Sequence, residues 1–115
     1  AVGEELLIVL ENLNFPINNL LPLASANSVG TEVECQGRVI KIEELTEEVF
    51  NGRDIDIAFF SAGGDISEKY AKYAVDAGAV VIDNTSYFRM DERVPLVVPE
   101  VNPEDIELWE DTGII

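Results

Sequence analysis

The sequence predicts an α/β fold with a doubly wound parallel sheet, and three features of residues 55–84 carry this prediction. Residues 55–61 and 79–82 are almost entirely apolar, as expected of strands that are buried on both faces of a sheet. An apolar stripe at helical spacing lies between them, and short turns join the three elements. A strand, helix and strand connected in this way form a right-handed βαβ unit, so both strands run parallel.

The helix of this unit has sequence signals at both ends. Asp65 is expected to cap its first turn, with Glu68 completing a capping box, and Gly78 is expected to end it. The apolar stripe consists of Tyr70, Ala71, Ala74 and Val75. Because the carboxyl ends of parallel strands open on one edge, residues 61–64 and 83–89 are expected to share the edge where such folds bind ligands.

The residues before this unit predict a helix, a buried strand and a hairpin. The helix runs to about Leu13, and the strand covers residues 20–24. The apolar face of the helix is formed by Leu6, Leu7, Leu10 and Leu13. Residues 32–35 and 38–42 alternate around a two-residue turn, which is typical of a hairpin whose second arm is a candidate for the parallel sheet.

The remaining segments predict shorter elements and incomplete ends. Thr46 is expected to cap a short helix, residues 94–98 to form a strand, and Asn102 to open a further helix. Residues 113–115 have the character of a strand that begins there, and a first strand is expected before the start of the chain. We therefore interpret residues 1–115 as a fragment of one domain.

The composition excludes several classes of partner and site. With 23 acidic and 7 basic residues, the 115-residue chain has a formal net charge of −16, so nucleic acid and anionic membranes would be repelled. No apolar run approaches the roughly 20 residues of a membrane span, which favours a soluble, cytoplasmic protein. Cys35 is the only cysteine and histidine is absent, so no disulfide framework or multi-cysteine metal site is expected. Cys35 is interpreted as a core side chain.

The loop of Ser25, Ala26, Asn27 and Ser28 follows the second strand of the predicted sheet. Dinucleotide-binding folds meet the adenine ribose there, and NAD enzymes usually place an acidic residue at that point. Hydroxyl and N–H groups can accept a 2′-phosphate that a carboxylate would repel, which favours NADP. The alternative, that these small residues only form a turn, is supported equally by this loop alone.

The residues that follow the two strands of the βαβ unit are the other candidates for ligand binding. Ser61, Ala62 and Gly63 either permit a tight turn or let a pyrophosphate approach the start of a helix. Two such loops on one edge favour the ligand. Arg89 is suited to hold a phosphate in two places, although a structural ion pair is the alternative, and Asn84 is equally suited to a turn.

Taken in order, these residues resemble the N-terminal, coenzyme-binding part of the aspartate-semialdehyde dehydrogenase family. Ala1-Val2-Gly3 is similar to the end of its G-A-T-G-x-V-G loop, and residues 25–28 to its S-A-R-S loop. Residues 60–63 resemble its F-S-A-G turn and residues 83–90 its D-N-x-S-x-F-R-M segment. Residues 95–102 resemble the stretch that leads to the active cysteine, so the likeness covers the whole chain.

The resemblance implies a Rossmann-type domain and NADPH-dependent reductive dephosphorylation of L-aspartyl 4-phosphate to the 4-semialdehyde, towards lysine, threonine and methionine. It also implies a homo-oligomer, such as a homodimer. The family's catalytic cysteine and histidine are not in this chain. The resemblance places the cysteine just after Ile115 and the histidine in a later substrate domain.

The resemblance also assigns roles to individual residues. Arg89 would bind the substrate phosphate, and Asn84 would lie near the nicotinamide. The remaining coenzyme contacts would be Ser25 and Ser28 to the 2′-phosphate, and Ala1, Val2, Gly3, Ser61, Ala62 and Gly63 to the pyrophosphate and ribose. Asn27 stands where many members have an arginine, which weakens the NADP preference and leaves dual coenzyme use open.

Two alternatives remain at this stage. One is a nucleotide-binding module without catalytic function, which the absence of the nucleophile nominally favours. The other is the related N-acetylglutamyl-phosphate reductase, which only residues of the substrate domain would exclude.

Overall fold

The structure is a computed structural model that describes residues 2–115, so Ala1, a predicted coenzyme contact, lies outside the described residues. The chain divides into two compact units at the boundary between Val49 and Phe50. No helix within residues 2–115 is long and apolar enough to cross a membrane.

The first unit contains one helix and two small strand pairs. Helix α1 spans Val2–Asn12, and strands β2 (Glu32–Cys35) and β3 (Arg38–Lys41) form the predicted antiparallel hairpin. Strand β1 (Leu23–Ala24) pairs in parallel with β4 (Glu43–Glu44), which follows the second arm of the hairpin. Parallel pairing therefore begins where the hairpin ends.

Three predictions for the first unit need correction. Val2 and Gly3 belong to α1 and not to a loop. The helix ends at Asn12, in agreement with the predicted end at about Leu13, but Leu13, predicted on the apolar face, is 69% exposed. Strand β1 covers two residues of the five predicted. The expected helix after Thr46 is a set of turns, because one weak Val49 N–H to Thr46 O bond of 3.4 Å closes a single turn that does not continue.

The second unit is the predicted βαβ unit. Strand β5 (Ile57–Phe60) leads through helix α2 (Gly64–Asp76) to strand β6 (Val80–Asp83), and the two strands pair in parallel with Asp83 opposite Phe60. The expected strand at the end of the chain appears as a parallel bridge between Ile114 and Val81. A 3-10 helix at Pro103–Asp111 takes the place of the predicted last helix.

Helix α2 packs on the strands through small side chains. Ser67, Ala71 and Ala74 are at most 1% exposed, and the facing Val81 is 0% exposed. The helix ends as predicted, because Gly78 has a φ of +98° and its N–H bonds Val75 O while the Ala79 N–H bonds Ala74 O. This pair of bonds is a Schellman motif, which satisfies carbonyl groups that the helix leaves without partners.

The predicted capping box of α2 is wrong. Gly63 is the N-cap and no side chain caps the helix; the Ile66 and Ser67 N–H groups both donate to Gly63 O. Because the helix begins at Gly64, Asp65 lies inside the first turn. Its negative charge interacts favourably with the helix dipole there, but a residue inside the helix cannot act as its N-cap.

Two further predictions for this unit need correction. The strand predicted over residues 55–61 is present as β5, but Ile57 and Phe59 are each 39% exposed, so it is not buried on both faces within this chain. Residues 94–98 form no strand. Asn102 bonds two of their backbone groups instead: its Oδ1 accepts from the Val98 N–H at 2.7 Å and its Nδ2 donates to Leu96 O at 2.8 Å.

We expect Gly78→Ala to lower the melting temperature of the full-length protein, because a side chain in the left-handed region costs about 1–2 kcal/mol. A Cβ at Gly78 meets no atom within 4 Å, so the loss would report backbone strain alone. Gly64→Ala is the matched control, since Gly64 has ordinary helical φ and its Cβ would make only an ordinary 3.7 Å contact. Equal melting temperatures for the two variants would show that alanine is not strained in the left-handed conformation at position 78.

Candidate functional site

A cavity of about 240 Å³ lies at the carboxyl end of β6, within the second unit. Its walls come from the segment after β6, from residues 94–97 and from the end of the chain. The lining residues are Asp83, Asn84, Thr85, Phe88, Arg89, Val94, Pro95, Leu96, Val97 and Ile115. The cavity thus combines apolar walls with one carboxylate, one amide, one hydroxyl and one guanidinium group, and the carboxylate, that of Asp83, is hydrogen-bonded to Ser67 and Thr85.

The turn after β5 lies beside the segment after β6, as the shared edge of a parallel pair requires. The Asn84 N–H donates to Phe60 O at 2.8 Å, and a Cβ built on Gly64 would lie 3.7 Å from the Cβ of Tyr87. Gly63 has a φ of +106° with open space around it. Ser61, Ala62 and Gly63 therefore lie close to the segment that carries Asn84 and Arg89.

A hydrogen-bond cluster anchors the start of this segment. The Asp83 carboxylate accepts from the buried Ser67 hydroxyl at 3.0 Å, and it accepts both the N–H and the hydroxyl of Thr85 at 2.9 Å. The Thr85 and Ser67 hydroxyl oxygens are 3.1 Å apart. The Tyr87 N–H also donates to the Thr85 hydroxyl, at 3.3 Å. This cluster ties helix α2, strand β6 and the cavity wall together.

Arg89 and Arg93 differ in their surroundings although they are four residues apart. Arg93 donates from Nε and from a terminal nitrogen to the two carboxylate oxygens of Asp91, at 3.1 and 2.9 Å. This pairing lowers the pKa of Asp91 and raises that of Arg93. No acidic side chain within residues 2–115 forms an ion pair with Arg89, which is exposed at the cavity. The geometry therefore favours a ligand role for Arg89 over the structural alternative.

In the first unit, the loop after β1 forms a 3-10 turn at Ala26–Ser28. The turn is closed by backbone bonds, including Ser28 N–H to Ser25 O at 2.9 Å, and the Ser25 side chain makes no capping bond. Ser25 and Asn27 are exposed and no residue of the turn is acidic. Since the turn does not use the Ser25 hydroxyl, that group is available to a ligand.

Of the predicted site residues in the second unit, the structure thus brings Asn84 and Arg89 to one cavity, and it places Ser61, Ala62 and Gly63 beside the start of the segment that carries them. Sequence reasoning missed the Ser67 and Thr85 hydroxyls. Two signals could have found them: a serine on the buried face of a predicted helix, and a hydroxyl residue two positions after an aspartate, which is typical of an Asx turn.

A larger and more open depression of about 740 Å³ lies in the first unit and contains none of the predicted site residues. Several of its polar groups already have partners. The Glu11 carboxylate accepts from the Gln36 N–H, the Gln36 side-chain amide donates to Phe15 O, and the Ile17 and Asn18 carbonyl oxygens accept from Arg38. These contacts give the depression a structural explanation.

Cys35 is 2% exposed, in agreement with its predicted core position. Burial raises the pKa of its thiol, and the nearby Glu11 carboxylate raises it further, while Arg38 lowers it. Since the thiolate is the nucleophilic form, this cysteine is poorly suited to covalent catalysis.

Comparison with known proteins bears on the whole chain. Residues 1–109 match the family described as semialdehyde dehydrogenase, NAD binding domain. The aspartate-semialdehyde dehydrogenase of Campylobacter jejuni is 69% identical over 115 residues, which are 100% of this chain and 34% of that protein. That of Bacillus subtilis is 50% identical over 115 residues, covering 100% of this chain and 32% of that protein. The chain therefore spans about a third of the length of the curated relatives it matches.

The solved structures agree. The crystal structure of aspartate semialdehyde dehydrogenase II from Vibrio cholerae complexed with ASA has a TM-score of 0.93 at 47% identity, covering 100% of this chain and 37% of that one. A probable aspartate-semialdehyde dehydrogenase from Pseudomonas aeruginosa has a TM-score of 0.75 at 29% identity, covering 92% of this chain and 31% of that one. The predicted Rossmann-type α/β fold class is confirmed.

We expect Cys35 to react with iodoacetamide much more slowly in the native full-length protein than after denaturation, because the thiol is buried and its pKa is raised. Peptide mapping after timed alkylation at neutral pH measures the labelling of this residue separately from other cysteines. Rapid native labelling would contradict the core position.

Proposed function

Because the chain belongs to the semialdehyde dehydrogenase family, we propose that it is the coenzyme- and phosphate-binding part of an aspartate-semialdehyde dehydrogenase. The reaction is the NADPH-dependent reductive dephosphorylation of L-aspartyl 4-phosphate to L-aspartate 4-semialdehyde. The full-length enzyme is proposed to be a cytoplasmic homo-oligomer that acts in the synthesis of lysine, threonine and methionine.

The observation that carries this proposal is the Arg89 guanidinium at the cavity after β6. It has no acidic partner within residues 2–115, whereas Arg93 nearby is paired with Asp91. A planar guanidinium can bond two oxygens of a phosphate and offset the negative charge that the phosphate carries as it leaves. Arg89 is therefore suited to bind and orient an acyl phosphate.

The residues after β5 fit a dinucleotide coenzyme. A side chain at Gly63 would be strained at its φ of +106°, and glycine there keeps the backbone at the start of α2 open to a close approach. In this proposal Ser61, Ala62 and Gly63 bind the pyrophosphate and ribose, and Asn84 orients the nicotinamide. When bound, NADPH supplies the hydride that reduces the acyl group to the aldehyde.

The first unit is proposed to bind the rest of the coenzyme. Ser25 and Ser28 contact the 2′-phosphate, and Val2 and Gly3, in the first turn of α1, contact the pyrophosphate together with Ala1. The exposed turn at Ala26–Ser28 has no carboxylate that would repel a phosphate. Asn27 adds no positive charge, so we propose a moderate preference for NADP with some use of NAD.

The related N-acetylglutamyl-phosphate reductase and a nucleotide-binding module without activity are the competing functions. Assaying the full-length protein in the oxidative direction separates them. We expect phosphate- and NADP-dependent oxidation of aspartate semialdehyde, with little oxidation of N-acetylglutamate semialdehyde. A reversed preference would support the reductase, and coenzyme binding without either activity would support the module.

Arg89→Lys in the full-length enzyme keeps the charge but loses the planar pair of donors, so we expect kcat/KM to fall by about 10-fold or more, mostly through a higher KM for phosphate. Arg89→Ala should be worse. Steady-state kinetics with varied phosphate in the oxidative direction measures the effect.

Arg93→Ala is the matched control, because it removes an arginine that is bonded to Asp91 and does not line the cavity. It should leave the KM for phosphate within about twofold of the unmodified enzyme, as expected for an exposed ion pair. Equal effects of the two alanine substitutions on phosphate would remove Arg89 from the site.

Asn27→Arg is expected to tighten NADP by roughly 10- to 150-fold, because it adds a charge-assisted contact to the 2′-phosphate. NAD lacks this phosphate, so its affinity should change little. Dissociation constants for both coenzymes, measured on the full-length enzyme at one ionic strength, give the ratio. An equal change in affinity for the two coenzymes would show that this turn does not contact the 2′-phosphate.

A further inference from the structure

We infer that Thr85, together with Asp83 and Ser67, positions the segment of residues 84–89 so that Arg89 faces the cavity; this inference rests on the proposed phosphate-binding function. None of these three side chains is a proposed ligand contact. Each would act through the backbone of the segment, and therefore as a positioning residue.

The cluster is built on groups whose places are already set by the fold. Ser67 is 0% exposed on the face of α2 that packs against the strands. Asp83 is held at the end of β6, where its N–H donates to Ile115 O at 2.9 Å and the following Asn84 N–H donates to Phe60 O at 2.8 Å. Its carboxylate is thus a fixed acceptor from which the segment starts.

From this acceptor a series of bonds runs along the segment towards Arg89. The Thr85 N–H and hydroxyl bond to the two carboxylate oxygens of Asp83, each at 2.9 Å. The Thr85 hydroxyl oxygen then accepts the Tyr87 N–H at 3.3 Å, and the Arg89 N–H donates to Ser86 O at 3.3 Å. The Thr85 hydroxyl is the one side-chain group in this series that links Asp83 to the residues beyond it.

Thr85 connects this series of hydrogen bonds to helix α2 and to the cavity. It contacts Ser67 of α2 on one side, and it lines the cavity with Arg89 on the other. An arginine on an exposed segment must be ordered before it can bond a phosphate in two places, and ordering it on binding weakens the interaction. By holding the backbone beforehand, the cluster would lower that entropic cost.

The test compares Thr85→Val with Thr85→Ser in the full-length enzyme. Valine keeps the shape of threonine but removes the hydroxyl, whereas serine keeps the hydroxyl. We expect Thr85→Val to raise the KM for inorganic phosphate about 10-fold, with a smaller change in kcat, because ordering the segment is then left to the binding step. Thr85→Ser should have a KM for phosphate within about twofold of that of the unmodified enzyme. A purely structural role would lower the melting temperature without this separation of KM from kcat.

Two further measurements test the inference beyond the kinetics of the single Thr85 variants. Hydrogen exchange of residues 84–90 in the ligand-free enzyme should be faster in Thr85→Val than in Thr85→Ser, since the Tyr87 N–H loses its acceptor. In the Arg89→Ala background, Thr85→Val should cause no further rise in the KM for phosphate, because both changes would act through one group.

Unchanged hydrogen exchange in Thr85→Val, equal losses in the valine and serine variants, or full additivity with Arg89→Ala would each overturn the inference. Failure of the proposed function has a different signature. In that case Arg89→Ala by itself would leave phosphate binding unchanged, while the exchange comparison would still show whether Thr85 orders the segment.

Discussion

The close packing of helix α2 on strands β5 and β6 is the interaction on which the candidate site depends. The contact is made by Ser67, Ala71 and Ala74, whose small side chains let the helix approach the strand backbone. At this separation the short Ser67 side chain reaches the Asp83 carboxylate at 3.0 Å. A larger residue at any of these positions would push the helix outwards and open the bonds that start the cavity wall.

The parallel pairing of β5 and β6 also determines which segments lie side by side at the candidate site. Because β5 and β6 run in the same direction, their carboxyl ends place the glycine turn and the Arg89 segment side by side. In the proposed function the turn binds the coenzyme pyrophosphate and the arginine binds the substrate phosphate. Residues that are more than 20 positions apart in the sequence are thereby brought to one edge.

Acidic residues far from this edge oppose phosphate binding there only weakly. Charges more than about 10 Å apart are largely screened at 0.1 M salt, so the net charge of −16 acts weakly on a bound anion. The contacts within hydrogen-bond distance decide affinity. In the proposed function Arg89 supplies such a contact, and the Asp91 carboxylate, two residues further along the chain, is already bonded to Arg93.

The sequence by itself determined the βαβ unit, the hairpin, the left-handed residue at Gly78 and the family, since periodicity, turn residues and ordered motifs are local properties. Tertiary structure decided the rest. Asn102 forms hydrogen bonds to Leu96 and Val98, which local preference assigns to a strand. The helix begins at Gly64, so Gly63 and not Asp65 is the N-cap. The cluster of Ser67, Asp83 and Thr85 exists only when helix and strand are packed, because hydrogen bonds between distant residues depend on distances that no local pattern encodes.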